Sequence, residues 1–151
     1  MIRVRPISLK ELPLILAEAV SFVEDSKHVP VDPMVFFQTW TKFIQTGIGT
    51  VFIMESPQDR PGVFRGGLGA VRMPDPNTGE LTATEIFWHV KPEHRGHGLY
   101  LFKHFEKWAR ETGCTKVTVV HMADSMPDKL RRLYHRYGYR ELETHYTKEI
   151  A

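Results

Sequence analysis

One stretch of this sequence combines the residue types and the spacing that suit an anion-binding turn. It reads VKPEHRGHGL from Val90 to Leu99 and joins a strand-like segment to a helix-like one. Such a junction presents main-chain amides without acceptors and the positive end of the helix dipole in one place, which suits a phosphate or diphosphate. Glycines at 96 and 98 would let the anion approach, since a side chain would hold it away. The alternative is a plain strand-to-helix turn in which the glycines only permit tight geometry.

The same stretch departs from the two best-known phosphate-binding patterns. No Lys-Ser or Lys-Thr pair follows the glycines, as in a P-loop, and the third glycine of the dinucleotide fingerprint is missing. His94, His97 and His104 suggest a metal, but no HExxH motif or cysteine cluster accompanies them. We therefore expect no metal site.

The elements that must position this turn follow from hydrophobic periodicity and from helix-capping residues. Ser8 to Glu11 has the form of a capping box, and Asp32-Pro33 has the form of an N-cap followed by proline, so each predicts a helix. After an initial strand around Val4, the predicted order is β-α-α-β-β-β-α-β-α-β. The later strands are expected at Thr50 to Glu55, Gly67 to Met73, Leu81 to Val90, Lys116 to Met122 and Tyr139 to Ile150, with one helix beyond the turn at 94–98 to about Thr112 and another at Pro127 to Arg136.

This order predicts a mixed α/β fold of the α+β kind. Three successive strands separated by loops favour an antiparallel meander, whereas strand, crossover helix and strand from Leu81 to Met122 imply one parallel pair. Alternation along the Leu81 to Val90 strand places Glu85 on one face with Phe87 and His89. Trp88 and its alternating neighbours, Thr84, Ile86 and Val90, then fall on the opposite face.

Composition and charge indicate an ordinary globular protein. The 151 residues are enough for about one domain, which we expect to span residues 1–151. The excess of 20 Lys and Arg over 18 Asp and Glu is too small to attract polyanions from a distance. No apolar run approaches the ~20 residues of a membrane helix, and the single cysteine, Cys114, cannot form an internal disulfide. We expect a soluble protein of the reducing cytoplasm.

Together with the order of elements, two motifs resemble the GNAT acetyltransferase superfamily over nearly the whole chain. The diphosphate loop of that family is written R or Q, x, x, G, x, G or A, and Arg95 and the residues after it match its first four positions; Tyr100 departs from the last. The second motif is LYHRYGY at 133–139. The pair Phe87-Trp88 and the EHRGH turn are also similar to uncharacterised acetyltransferases of phages and prophages. The resemblance implies a mainly antiparallel, twisted sheet with helices on both faces.

The resemblance implies acetyl-coenzyme A as the cosubstrate and assigns residues to it. The main chain of His89 and Val90 would pair with the pantetheine arm as an extra strand. The diphosphate would lie beside Arg95, against the main-chain amides of Gly96, His97, Gly98, Leu99, Tyr100 and Leu101. Because most of this recognition uses main-chain groups, alanine substitution would test it poorly.

The resemblance also implies catalytic roles. Tyr134 occupies the place of a tyrosine that contacts coenzyme A and protonates its departing thiolate, a step that suits a phenol with a pKa of about 10. The alternative is that Tyr134 only packs against the cofactor or the core. Two residues are candidate bases for the attacking amine: His121, otherwise a hydrogen-bonded strand-end histidine, and Glu85, otherwise a surface carboxylate or ion pair. Cys114 has no obvious activating base, so direct transfer is the simpler mechanism.

Other functions stay open at this point. A non-catalytic member of the fold would bind an acyl-coenzyme A or a protein partner without transferring anything, although the Arg95 loop and Tyr134 together favour an enzyme. The third possibility is that a basic patch binds nucleic acid, although runs of charge on a short helix more often form a solvated face. The residues of this patch are Lys129, Arg131, Arg132, His135, Arg136 and Arg140. The acceptor could be a small-molecule amine, a peptide N-terminus or a protein lysine. Homodimers are common in the superfamily, and the sequence has no interface signature.

Overall fold

The computed structural model describes residues 1–26, 31–121 and 126–150. The chain forms two compact units, Met1–Val119 and Val120–Ala151. Among the described residues, the first unit contains the sheet and three α-helices, and the second contains one α-helix.

Five strands form one sheet in the order β1-β2-β3-β4-β5, so strands that follow one another in sequence are also neighbours in the sheet. They are β1 Arg3–Pro6, β2 Gly49–Glu55, β3 Gly66–Pro74, β4 Leu81–Val90 and β5 Lys116–Thr118. The first four strands pair antiparallel, and β4 and β5 pair parallel. The predicted meander and the predicted parallel pair are both confirmed.

The described α-helices agree best with the sequence where it carries predicted capping residues, at Ser8 and at Asp32-Pro33. They are α1 Leu12–Ser26, α2 Pro33–Thr46, α3 Gly98–Glu111 and α4 Pro127–Arg136. The Ser8 amide donates to the Glu11 carboxylate at 2.7 Å before α1, and the Asp32 carboxylate accepts from two amides at the start of α2. Gly47 ends α2 with a φ of 73°, which glycine adopts without strain. None of the helices in the described ranges has the length and apolar character that crossing a bilayer requires.

Apolar side chains pack on both faces of the sheet. Alternate residues of β2 point to opposite faces, so Phe52 and Met54 join one cluster while Val51 and Ile53 join the other. The first cluster includes the buried stripe of α3: Leu101, Phe105 and Ala109. The second cluster includes residues of α1 and α2: Leu12, Ile15 and Trp40. A fully buried Leu or Phe contributes about 2 kcal/mol through burial, so these stripes fix the helices on the sheet.

A bulge at Ile86 interrupts β4. Glu85 pairs with Ala70 and Phe87 pairs with Gly69, which leaves Ile86 as the extra residue. Ala70 belongs to the α3 cluster, so the register puts Glu85 on the α3 face, whereas Phe87 packs with the α1 and α2 cluster. The predicted alternation, which grouped Glu85 with Phe87, is wrong because the bulge reverses it.

Two predicted strands differ from the structure. β5 ends at Thr118 rather than Met122, and residues 122–125 lie outside the described residues. The final strand predicted from Tyr139 to Ile150 is not formed, since residues 139–150 carry no strand. Polar residues dominate that segment, and its apolar side chains Leu142, Tyr146 and Ile150 are exposed. Too little apolar surface is buried there to offset the entropy cost of ordering a strand.

Candidate functional site

Short-range main-chain hydrogen bonds build the turn between β4 and α3. The Lys91 amide donates to the Arg65 carbonyl at 3.0 Å, where β4 ends beside β3. A 3₁₀ turn, Pro92–His94, follows. The His94 amide donates back to the Lys91 carbonyl at 2.8 Å, and the His97 amide donates to the His94 carbonyl at 3.2 Å. Two successive tight turns therefore carry the chain from the strand into α3, which begins at Gly98.

Several amides at the start of α3 have no acceptor among the described residues. The amides of Gly96, Gly98 and Leu99 form no main-chain hydrogen bond there, whereas the amides of His97 and Tyr100 donate to carbonyls within the turn. His97 stands at the N-cap position, but its side chain accepts no hydrogen bond from the helix. Open amides at a helix start, together with the helix dipole, attract an anion. These donors are the groups that a diphosphate site requires.

Gly96 and Gly98 are glycines for different physical reasons. Gly96 has a φ of 104°, which other residues rarely adopt, and a β-carbon there would meet no atom within 4 Å. Gly98 is buried, and a β-carbon there would lie 3.1 Å from Cγ2 of Val90 and 3.5 Å from the Trp88 indole. Gly98 therefore lets α3 pack closely against β4, whereas Gly96 leaves open space beside the amides. Gly98 thus has a packing role beside the one predicted for it, and the expectation that it makes room for an anion stays a prediction.

The cationic side chains beside the turn differ in whether they form ion pairs. Lys91 Nζ pairs with a Glu18 carboxylate oxygen at 3.1 Å, and Arg65 pairs with Asp59. Arg95 is exposed and forms no ion pair within the described part of the chain. Its guanidinium is therefore available to an anion held at the start of α3.

The ion pair of Arg65 and Asp59 is a feature that sequence analysis does not identify. Hydrogen bonds from the Arg65 guanidinium lower the pKa of Asp59 to about 2 from its usual 3.8, and the Ser56 amide adds to the effect. Both residues lie in the breaker-rich β2–β3 connection. A spacing of this kind in a loop carries no periodic signal, so the contact could be found only from the structure.

The last part of β4 extends beyond its short ladder with β5. Among the described residues, that ladder joins residues 82–84 to Lys116–Thr118. The rest of β4 continues along β3 up to the turn. The ring of His89 stacks on Phe64, with centroids 6.3 Å apart and planes 10° from parallel. The main chain of His89 and Val90, predicted to contact the pantetheine arm, thus lies directly before the turn.

Glu85, one of the two candidate bases, is a buried carboxylate with 6% of its surface exposed. The alternative that it is a surface group is therefore wrong. The bulge at Ile86 turns it to the α3 face of the sheet, which also carries Trp88 and Val90. Carboxylates are rarely buried without a specific interaction, which makes Glu85 unusual among acidic residues.

The second compact unit holds Tyr134 and the other candidate base, His121. Tyr134 is buried, and its hydroxyl donates to the Val120 carbonyl at 2.6 Å. His121 is half-buried and follows Val120 directly. The hydroxyl proton of Tyr134 is thus engaged with the main chain, and to protonate a thiolate it would have to exchange this acceptor for sulfur.

The spacing of the LYHRYGY motif has a structural reason of its own. Gly138 has a φ of 85°, and its amide donates to the His135 carbonyl at 3.1 Å. The Tyr139 amide donates to the Tyr134 carbonyl at 3.0 Å, and the rings of these two tyrosines lie 5.9 Å apart. This is a Schellman motif with its side-chain contact, and it ends α4.

The remaining candidates from the sequence are placed as follows. Cys114 is half-buried, with Sγ 3.8 Å from Oγ1 of Thr112. In the described ranges, no three His, Cys, Asp or Glu side chains are grouped so as to hold a metal ion. The basic side chains of α4 are exposed, and Arg131 pairs with Asp128 at 3.6 Å and with Glu141 at 3.4 Å.

The sequence matches the family model of the acetyltransferase (GNAT) family over residues 20–139. No curated protein sequence matches the chain.

Solved structures share the fold along its whole length. A predicted acetyltransferase with acetyl-CoA from Clostridium acetobutylicum is 14% identical, with a TM-score of 0.79 and coverage of 99% of this chain and 97% of that chain. The ribosomal-protein-alanine N-acetyltransferase of Brucella melitensis biovar Abortus 2308 is 16% identical, with a TM-score of 0.72 and full coverage of both chains, 100% each. An aminoglycoside acetyltransferase from an uncultured soil metagenomic sample is 16% identical, with a TM-score of 0.74 and coverage of 100% and 99%.

Proposed function

The chain belongs to the acetyltransferase (GNAT) family and uses acetyl-coenzyme A, and on that premise we propose that it transfers the acetyl group directly to a primary amine. The observation that carries the proposal is the set of open amides at Gly96, Gly98 and Leu99, where β4 gives way to α3. We propose further that residues 1–151 act as one acetyltransferase domain, since the family match at 20–139 includes parts of both compact units.

In this proposal, binding rests mainly on main-chain groups. Acetyl-coenzyme A supplies an activated thioester when bound. The three open amides donate to its diphosphate, the exposed Arg95 guanidinium adds positive charge, and the main chain of His89 and Val90 pairs with the pantetheine arm. Of the other predicted members of the turn, His97 and Tyr100 use their amides to hold the turn together, and the Leu101 side chain packs in the core. The open space beside Gly96 and the missing acceptors fit an anionic group there.

Two proton transfers accompany the reaction. The amine nitrogen bonds to the acetyl carbon as the carbon–sulfur bond breaks, so nitrogen must lose a proton and sulfur must gain one. We propose that the Tyr134 hydroxyl protonates the sulfur after leaving the Val120 carbonyl. Glu85 or His121 accepts the proton from nitrogen, either directly or through water.

The variants Glu85→Gln and His121→Gln test which of the two residues is the general base. The base must be deprotonated to act, so its loss removes the acidic limb of the kcat/KM profile against pH. The variant that loses this limb and also most of its kcat identifies the base. If both variants keep the limb, bound water takes the proton and neither residue is the base.

A panel of acceptors tests transfer itself. It should contain a small-molecule amine, a peptide with a free N-terminus and a lysine peptide, with release of free coenzyme A and product mass as readouts. The proposal predicts an acetylated amine and coenzyme A in equal amounts with at least one class. The alternative of a non-catalytic module predicts binding of acetyl-coenzyme A with no release above the rate without acceptor.

A further inference from the structure

The β2–β3 connection places an ion pair of fixed geometry beside the turn. Arg65, the last residue before β3, donates to Asp59 twice, from Nε to Oδ2 at 2.6 Å and from Nη2 to Oδ1 at 2.7 Å. The two side chains are only 17% and 16% exposed. The Ser56 amide also donates to Asp59 Oδ2, at 2.9 Å. A shielded, two-point contact of this kind is much more rigid than an exposed ion pair.

Arg65 contacts both ends of the 3₁₀ turn Pro92–His94. Its carbonyl accepts from the Lys91 amide at 3.0 Å, just before the turn, and its Nη1 lies 3.5 Å from Nδ1 of His94, at the end of the turn. An arginine N–H can only donate, so His94 Nδ1 is the acceptor in this contact. The His94 carbonyl accepts from the amide of His97, the N-cap residue of α3. A shift of His94 would therefore move the start of α3.

We propose that Arg65, held by Asp59, is a positioning residue for acetyl-coenzyme A, fixing the turn so that the open amides of α3 converge on the diphosphate. This inference rests on the proposed function. Arg65 acts through His94 rather than as a phosphate ligand, because Nε and Nη2 donate to Asp59 and Nη1 faces His94. Donors fixed in advance bind more tightly, since less conformational freedom is lost on binding.

Two substitutions separate positioning from direct charge attraction. Asp59→Asn removes a negative charge near the turn, so charge attraction alone predicts equal or tighter binding, whereas positioning predicts weaker binding. Arg65→Lys keeps the positive charge but loses the two-point contact, so charge attraction predicts unchanged binding and positioning again predicts a loss. Because misplaced binding groups lose affinity, we expect Kd and KM for acetyl-coenzyme A to rise about tenfold in each variant, with kcat within about twofold of wild type.

Arg5 provides a matched control in the same unit. It donates to Glu11 and Glu55 through hydrogen bonds of 2.6 to 3.0 Å and, in the described ranges, none of its hydrogen bonds reaches the turn. Arg5→Lys is expected to lower Tm by an amount similar to Arg65→Lys and to leave Kd for acetyl-coenzyme A unchanged. A general loss of stability would instead weaken binding in both variants alike.

Calorimetric titration with acetyl-coenzyme A, with Tm measured for every variant, decides the matter. If wild type binds and both Asp59→Asn and Arg65→Lys bind within twofold of it, the inference is overturned while the proposed function stands. If wild type does not bind, the proposed function itself fails. If Arg65→Lys does not fold, His94→Leu is used in its place. We then expect Asp59→Asn, His94→Leu and the double variant to lose similar affinity for acetyl-coenzyme A. Additive losses of affinity would overturn the inference.

Discussion

The turn before α3 and the segment around Tyr134 hold their functional groups in different ways. At the turn, the amides of Gly96, Gly98 and Leu99 have no acceptor among the described residues. In the second unit, the Tyr134 hydroxyl already donates to the Val120 carbonyl at 2.6 Å. One region presents its donors without rearrangement, whereas the Tyr134 hydroxyl would have to give up a hydrogen bond to act as the proposed acid.

This difference separates two kinds of sequence motif. Main-chain recognition needs a strand, a turn and a helix start, and local residue types predict all three. A side-chain role depends on what else that side chain bonds, which spacing does not reveal. The LYHRYGY motif illustrates the point, because the Schellman motif at Gly138 accounts for part of its spacing without any catalytic role.

The largest effect is expected from Gly98→Asp, which disrupts the packing of α3 against β4 beside the turn. The new β-carbon would lie 3.1 Å from Cγ2 of Val90 and 3.5 Å from the Trp88 indole, so a charged side chain would be forced in where α3 packs closely on β4. We expect the free energy of unfolding to fall by more than about 3 kcal/mol, measured by urea denaturation. Gly98→Ala, which adds the β-carbon alone, should lose about 1 kcal/mol. Wild-type stability in the Asp variant would mean that α3 does not pack on β4 as described.

Tyr134→Phe tests the other side of the comparison. If Tyr134 protonates the sulfur, kcat should fall about 100-fold while Kd for acetyl-coenzyme A stays within about twofold. Loss of the bond to Val120 should also cost about 1 kcal/mol of stability. Tyr146→Phe, at a position 93% exposed, serves as the control and should change neither quantity. A Tyr134 variant that loses stability but keeps kcat would limit this residue to holding the main chain at Val120.

The contact between Arg5 and Glu11 lies outside both regions and tests how much one ion pair contributes to the stability of the fold. Hydrogen bonds from Arg5 lower the pKa of Glu11 to about 2 from 4.5. Since the folded-state pKa is depressed, this stabilisation is complete above pH 4.5 and is lost as pH falls toward 2. Glu11→Gln should therefore lose about 1 kcal/mol at neutral pH and approach wild type in acid, as thermal melts over this range would show. A stability difference that stays constant with pH would contradict this origin.

The smallest effect is expected from Cys114→Ser. The thiol lies 3.8 Å from the Thr112 hydroxyl and has no role in direct transfer. We expect kcat with the best acceptor to stay within about twofold of wild type, because the proposed direct transfer forms no acyl-cysteine. Loss of activity together with an acetylated Cys114 in the mass spectrum of wild type would replace direct transfer by a covalent mechanism.

Much of the fold could be predicted because its signals are local. Capping at Asp32, the glycine at the end of α2 and the apolar stripe of α3 each set an element without reference to the rest of the chain. The bulge at Ile86 could not be predicted, since it depends on how β4 pairs with β3, and it changes the face of Glu85. The contact of Arg65 with Asp59 and His94 is equally a product of tertiary structure. The strand predicted at 139–150 is not formed, since that segment buries too little apolar surface.

The central claim is that open amides at the start of α3 bind the diphosphate of acetyl-coenzyme A. Gly96→Asn and Gly96→Asp add side chains of equal size at a φ of 104° where a β-carbon meets no atom, so the two variants differ only in a charge beside those amides. Calorimetric titration with acetyl-coenzyme A should show the Asn variant binding at least about tenfold more tightly, because a carboxylate there competes with the diphosphate and repels it. Equal Kd values for the two variants would contradict the claim.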